Sequence, residues 1–339
     1  MRTIAWEDGT VVTIDQTKLP NTIEFLSMKN CEEVSSAIKE MRLRGAPLIG
    51  VAAAYGLALT AYHSKAKEKE ELLRELEGSS NLLRRTRPTA VNLFWAVNRV
   101  LKRAKDATGD VKALVEVVVS EAQKMAEEDV ETNRRIGEHG SKLIENGDVV
   151  LTHCNAGSLA TVDYGTALGV IRTAWRQGKR IKVVATETRP ALQGTRLTAF
   201  ELKRDGIPVT LITDSTVGYA MSKGLVKKVF VGADRIVRDA VINKIGTYTI
   251  AVLAHEHGIP FYVAAPTSTF DLTHASKQIT IEERSSKEVT NIGSQRIAPE
   301  GVDVLNPAFD IAPIKYVSAI ISETGVLSTT EFEKLTLNR

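Results

Sequence analysis

Two residues in this chain stand out as able to handle protons. Cys154 follows the apolar run 149–152 and lies beside Asn155 and a Gly157-Ser158 turn. A helix opening near Ser158 would aim its positive end at the thiol, favour the thiolate and lower its pKa. Asp234 sits in Val231-Gly232-Ala233-Asp234-Arg235-Ile236, behind a second apolar run. A carboxyl held in an apolar pocket has a raised pKa and can donate a proton near neutrality. The plainer alternatives are an inert buried thiol and a solvated loop carboxylate or helix cap. What favours chemistry is the pairing, because each residue follows a different strand-like segment.

Anion donors accompany this pair. Arg44-Gly45-Ala46-Pro47 and Arg87-Pro88-Thr89 each place an arginine ahead of a helix start, where free N–H groups and the helix dipole attract phosphate. Asn243-Lys244-Ile245-Gly246-Thr247 opens a further helix and adds a cation. His153 adjoins Cys154, but successive side chains of a strand point to opposite faces, so it is expected to pack and hydrogen-bond. His255-Glu256-His257 lies in a helical stretch, where residues two apart diverge, and no metal site is expected. Neither a Gly-x4-Gly-Lys-Ser/Thr loop nor a Gly-x-Gly-x-x-Gly after a strand occurs, which leaves nucleotide binding without support.

The elements that must position these groups fall into two textures. Residues 1–28 read as short strands and turns, with Asp8-Gly9 as a hairpin turn. Helical patterns follow at 32–42, 47–63, 68–77, 88–106 and from 111 into the 140s. After Asn146-Gly147-Asp148, apolar runs at 149–152, 181–185, 209–212, 229–231, 261–264 and 316–321 alternate with amphipathic stretches. Short buried strands separated by helices define an α/β fold with a doubly wound, mostly parallel, Rossmann-like sheet. We expect an N-terminal domain over 1–125 and a C-terminal domain over 126–339 that carries the reactive pair. In such sheets ligands bind beyond the carboxyl ends of the strands, where Cys154, Glu187-Thr188-Arg189-Pro190, Gln193-Gly194, Asp214, Asp234 and Pro266-Thr267 all fall. Segment 266–310, rich in Pro, Ser, Thr and Asp, reads as an active-site excursion.

Composition narrows the partners. With 339 residues, 43% hydrophobic and 25% charged, and a net charge of +3, the chain reads as globular, with no nucleic-acid partner expected. The apolar stretch 47–62 is shorter than the ~20 residues of a membrane span, so no membrane partner is expected. Two cysteines in unlike settings, Cys31 and Cys154, suit a reduced, cytoplasmic chain.

These segments together resemble the methylthioribose-1-phosphate isomerases, aldose–ketose isomerases of methionine salvage. Their superfamily also holds ribose-1,5-bisphosphate isomerase and the regulatory subunits of the initiation-factor nucleotide-exchange complex. The resemblance runs nearly end to end, through Arg44-Gly45-Ala46-Pro47, Arg87-Pro88-Thr89, Thr152-His153-Cys154-Asn155-Ala156-Gly157, Gln193-Gly194-x-Arg196-Leu197-Thr198, Gly232-Ala233-Asp234-Arg235 and Asn243-Lys244-Ile245-Gly246-Thr247. It implies that Cys154 and Asp234 are catalytic and that Arg44, Gly45, Ala46, Arg87, Gln193, Asn243 and Lys244 bind the substrate. It further implies conversion of 5-methylthioribose 1-phosphate to 5-methylthioribulose 1-phosphate by a homodimer with no cofactor or metal. One departure is Thr186, where the family pattern favours an acidic residue.

Overall fold

The computed structural model describes residues 1–337. The chain opens with an antiparallel sheet of β1 (Ile4–Glu7), β2 (Thr10–Ile14) and β3 (Phe25–Met28). Helices α1 (Cys31–Lys39), α2 (Ala46–His63), α3 (Lys69–Arg84), α4 (Val91–Asp106) and α5 (Val111–Ser141) follow. Asn30 caps α1 by accepting the Glu33 N–H, and Asp110 caps α5 through the Ala113 N–H, as short polar residues do at helix starts.

α2 is apolar all round because α1, α3, α4 and α5 enclose it. By length and composition it would suffice to cross a membrane, contrary to the expectation that this stretch is too short, but 83% of it is buried inside the protein. α3 runs past the end expected for it, since Leu76, Ser80 and Leu83 continue its buried stripe, with Ser79 Oγ 2.8 Å from Thr60 Oγ1 of α2. α4 starts later than expected: Arg87-Pro88-Thr89-Ala90 forms a turn closed by the Ala90 N–H to the Arg87 carbonyl.

The second half forms the doubly wound sheet. Its elements are β4 (Val149–Thr152), α6 (Ala167–Arg176), β5 (Lys182–Thr186), α7 (Ala199–Arg204), β6 (Val209–Ile212), α8 (Val217–Ser222) and β7 (Lys228–Val231). There follow β8 (Arg235–Ile236), β9 (Ala240–Lys244), α9 (Thr247–Glu256), β10 (Phe261–Ala264), α10 (Lys287–Thr290), β11 (Asn291–Ile292) and β12 (Gln295–Arg296). Last come β13 (Phe309–Pro313), β14 (Ala319–Ser322), β15 (Gly325–Ser328) and α11 (Thr329–Leu337). The main sheet has the order β15-β14-β10-β7-β4-β5-β6, parallel except for β15. α5, α6 and α7 pack on one face, and α8, α9 and α11 on the other.

The winding reverses between β4 and β7, neighbours through Val150–Lys228 and Leu151–Val229. Ligands bind at such a switch point, because loops that diverge from the two strand ends leave a crevice there. Strands β8, β9 and β13 build a small antiparallel sheet beside it, which the sequence pattern did not suggest. The expected boundary at 125/126 falls inside α5, whose first part packs on α2 and whose later part packs on α6. We keep that division as a proposal.

Candidate active site

Cys154 lies just past the tip of β4 and Asp234 just past the tip of β7, the two strands that flank the switch point. Both line one cleft, together with Arg44, Gly45, Ala46, Arg87, Gln193, Asn243 and Lys244. Among the described residues, the cleft therefore gathers all nine positions singled out from the sequence. Arg44, Gly45 and Ala46 reach it from the start of α2, Arg87 from the turn before α4, and the others from the sheet side.

Several backbone features hold Cys154 in place. Its φ is +60°, a conformation that costs an L-residue energy and persists only when neighbours fix it. Thr198 Oγ1 donates to the Cys154 carbonyl at 2.5 Å, and the Cys154 N–H donates to Thr188 Oγ1 at 2.8 Å. Thr188 in turn adjoins Thr186 Oγ1 at 3.1 Å, and that hydroxyl donates to His153 Nδ1 at 2.6 Å. His153 Nε2 donates to the Ile245 carbonyl at 2.8 Å, which fixes the tautomer. His153 thus has the packing and hydrogen-bonding part expected of it. Burial keeps its pKa below the usual imidazole value. Thr186 does not line the cleft and acts on it through this chain of contacts.

Gly45 shows why the α2 entrance tolerates no side chain. Its φ is +111°, and a Cβ would lie 2.4 Å from Ala160 Cα. This close approach seats Arg44 against the loop after β4. There Arg44 Nη1 donates to Asn155 Oδ1 at 2.7 Å and Nη2 to the Asn155 carbonyl at 2.8 Å. Lys244 ends β9 rather than beginning a helix, and its Nζ donates to the Ala308 carbonyl at 2.8 Å, beside the Phe309 ring. Arg87 faces Glu282 at 3.5 Å, leaving its buried Nε without a partner. The buried Gln193 Oε1 is likewise unpaired. Such orphaned groups in a cleft mark where a polar ligand completes the bonding.

The electrostatics correct one expectation. Burial pushes the Cys154 thiol up, opposed by Arg44 and Lys244 and reinforced by Asp234. No helix dipole lowers it, because Ser158–Ala160 is a single 3-10 turn and the Ser158 N–H is taken by the Glu201 carboxylate. Burial also raises Asp234, against Lys244, Arg87 and Arg44, in the direction expected. Its surroundings are cationic as well as apolar. Lys244 is lowered by burial and raised by Cys154 and Asp234. The resting pair is therefore biased toward thiol and carboxylic acid, walled by cations.

Some cleft residues had no prior signal. Arg284, from the excursion expected near the site, lines the cleft and is paired with Glu288 at 2.6 Å. Next to the cleft, and sharing Arg87 and Asp234 with it, lies a small, mostly apolar annex lined by Ile49, Ile242, Ile279, Ile281 and Phe309.

A doubly wound protein with a cation-walled cleft at its switch point, and a thiol and a carboxyl at its two strand tips, belongs to the class that binds small phosphorylated metabolites. The chain belongs to the Initiation factor 2 subunit family, whose match spans residues 42–329. It is 53% identical over 327 residues to a methylthioribose-1-phosphate isomerase from Thermosipho africanus, covering 96% of this chain and 94% of that one. The structure of 5-methylthioribose 1-phosphate isomerase from Pyrococcus horikoshii OT3 aligns with TM-score 0.92 and 47% identity, over 99% and 94% of the two chains. A structure from A. fulgidus described as translation initiation factor eIF-2B, subunit delta, aligns with TM-score 0.87 and 54% identity, over 97% and 96%.

Proposed function

We propose that this protein is an aldose–ketose isomerase that converts 5-methylthioribose 1-phosphate to 5-methylthioribulose 1-phosphate, a step of methionine salvage. The observation that carries the reading is the pairing of Cys154 and Asp234 at adjacent strand tips in a cleft walled by Arg44, Arg87 and Lys244. A translation initiation factor subunit, as the A. fulgidus structure is described, has no use for a desolvated thiol and acid facing three cations.

The chemistry follows from the substrate. Phosphate on the anomeric oxygen prevents the ring from opening as it does in a free sugar. Asp234, whose protonated form burial favours, gives its proton to the ring oxygen as the bond from C1 to that oxygen breaks. Hydrogen then moves from C2 to C1, on the side we assign to Cys154. As a proton it is removed by the minor thiolate form of Cys154 and returned from the resulting thiol at C1. As a hydride it passes directly, in a seat from which water is excluded. In either case the C2 hydroxyl proton returns to the Asp234 carboxylate, the ketone forms, and no external redox partner is consumed. Arg44, Arg87 and Lys244, with the backbone at Gly45 and Ala46, hold the phosphate. Gln193 and Asn243 orient the sugar hydroxyls. The apolar annex suits a methylthio end and penalises a second phosphate there.

Incubation of the pure protein with methylthioribose 1-phosphate, with ketose followed over time, tests this reading. Turnover is expected, and faster than with the 5-phospho sugar. No ketose from any 5-substituted ribose 1-phosphate would end the proposal. Deuterium at C2 separates the routes: exchange into solvent marks the proton path, and retention at C1 the hydride path. The same reading includes a cytoplasmic homodimer.

A further inference from the structure

Outside the cleft wall lies a buried charge that the reaction does not use directly. Glu201, on α7, is 1% exposed and does not line the cleft. Its carboxylate accepts from Asn155 Nδ2 at 2.8 Å, the Ser158 N–H at 2.8 Å, Ser158 Oγ at 2.7 Å, the Leu159 N–H at 3.2 Å and Arg172 Nη2 at 2.6 Å. Arg172 is shared with Asp205 at 2.5 Å.

An ionised carboxylate accepts and cannot donate. Asn155 must therefore turn its NH2 group toward Glu201, and its Oδ1 is left facing Arg44. Arg44 meets that oxygen and the Asn155 carbonyl with two roughly parallel N–H groups, a fork that fixes the guanidinium plane. A reversed amide would set an NH2 group against the guanidinium and a carbonyl against a carboxylate. Thr198, on the same segment as Glu201, ties the Cys154 carbonyl and accepts from Asn155 Nδ2 at 3.2 Å. A π-turn over Gly194–Thr198 leads straight into α7, so one stretch of chain carries Gln193, Thr198 and Glu201.

We infer that Glu201 is a positioning residue for the isomerase: by fixing the polarity of the Asn155 amide, it aims Arg44 at the phosphate of the substrate. This rests on the function proposed above. An ion pair that merely held α7 to the loop would need no particular amide orientation at position 155.

The test measures KM and kcat for methylthioribose 1-phosphate, with melting curves alongside. Glu201→Gln presents an amide that can turn either edge to Asn155, so the enforced polarity is lost. KM is expected to rise about tenfold, the scale of one weakened charge-assisted hydrogen bond, while kcat falls much less. The double variant Asn155→Asp/Glu201→Gln keeps the net charge and reverses the donor and acceptor across that contact. A carboxylate at 155 again accepts from Arg44, and KM should return toward the wild-type value. Asp205→Asn, which removes only the outer partner of Arg172, is expected to lower the melting temperature and leave KM unchanged. A folded Glu201→Gln protein with wild-type KM, or a double variant no better than the single one, overturns the inference. If Glu201→Gln does not fold, Glu201→Asp, which withdraws the carboxylate from Asn155 by one methylene, carries the same expectation. A wild-type protein without isomerase activity sinks the proposed function itself, whereas an active wild type with an unaltered variant sinks only the part given to Glu201.

Discussion

At the scale of single residues, the cleft works by desolvation set against charge. Burial raises Asp234 and Cys154, and the surrounding cations hold that rise in check. Asp234→Asn removes the group proposed as the ring-oxygen acid and Cys154→Ser the thiol proposed to handle the hydrogen. Either should lower kcat by ~10²–10⁴-fold with sugar-phosphate binding kept, as a turnover and equilibrium-binding comparison will read. Near-normal turnover would remove the residue concerned from catalysis. If Asp234 is the proposed acid it enters protonated, and kcat is expected to fall as pH rises through its raised pKa. Lys244 is the largest influence lowering that pKa. Lys244→Met should therefore move this limb of the pH profile to higher pH while KM rises. An unmoved limb would mean that another group sets it. Sequence reasoning named nine of the cleft residues and missed Arg284 in its lining, as well as Glu201 and Arg172, both on helices that pack against the sheet. A signal for the latter was present: Arg172 follows Leu168 by four residues on the buried face of α6, and a charge on an apolar stripe calls for a buried partner.

At the scale of elements, the entrance to α2 and the middle of α5 carry the firmest expectations. Gly45→Ala meets both a φ of +111° and the Ala160 backbone, so it should destabilise the protein by at least ~1–3 kcal/mol in urea unfolding and raise KM through Arg44. Unchanged stability would show that the turn adapts. On α5, Asp129 accepts the Val162 N–H at 2.7 Å, and burial raises its pKa to about 7. A carboxyl raised on folding binds its proton more tightly in the folded state. Its contribution is complete below the unfolded value of 3.8 and is lost as pH climbs through about 7. Asp129→Asn keeps the acceptor and removes the titration, so its melting temperature should fall less than that of the wild type between those pH values. Parallel melting curves would refute this.

At the scale of the whole molecule, the annex beside the cleft and the assembly of copies are the open properties. Ile281→Arg places a cation in the annex and should shift preference from methylthio toward 5-phospho substrates by about tenfold or more in relative kcat/KM. An unchanged ratio would place the substrate tail elsewhere. A homodimer of this 37.0 kDa chain should elute and scatter light at twice that mass. A single-chain mass at working concentrations would refute the dimer.

The sequence alone determined the element types. Short continuous apolar runs and helical stripes set strands against helices, and the positions after strand ends named the reactive residues. It did not reveal β8, β9 and β13, because Ala240–Lys244 runs up to a helix start and its strand character depends on Phe309–Pro313, far along the chain. Nor could it give the thiol its protonation preference, which follows from burial and from the Ser158 N–H being taken by Glu201, both products of packing. Local patterns decide which segments form, since they report on neighbouring residues. The dielectric around a buried group and the direction of a guanidinium depend on contacts that only the completed fold brings together.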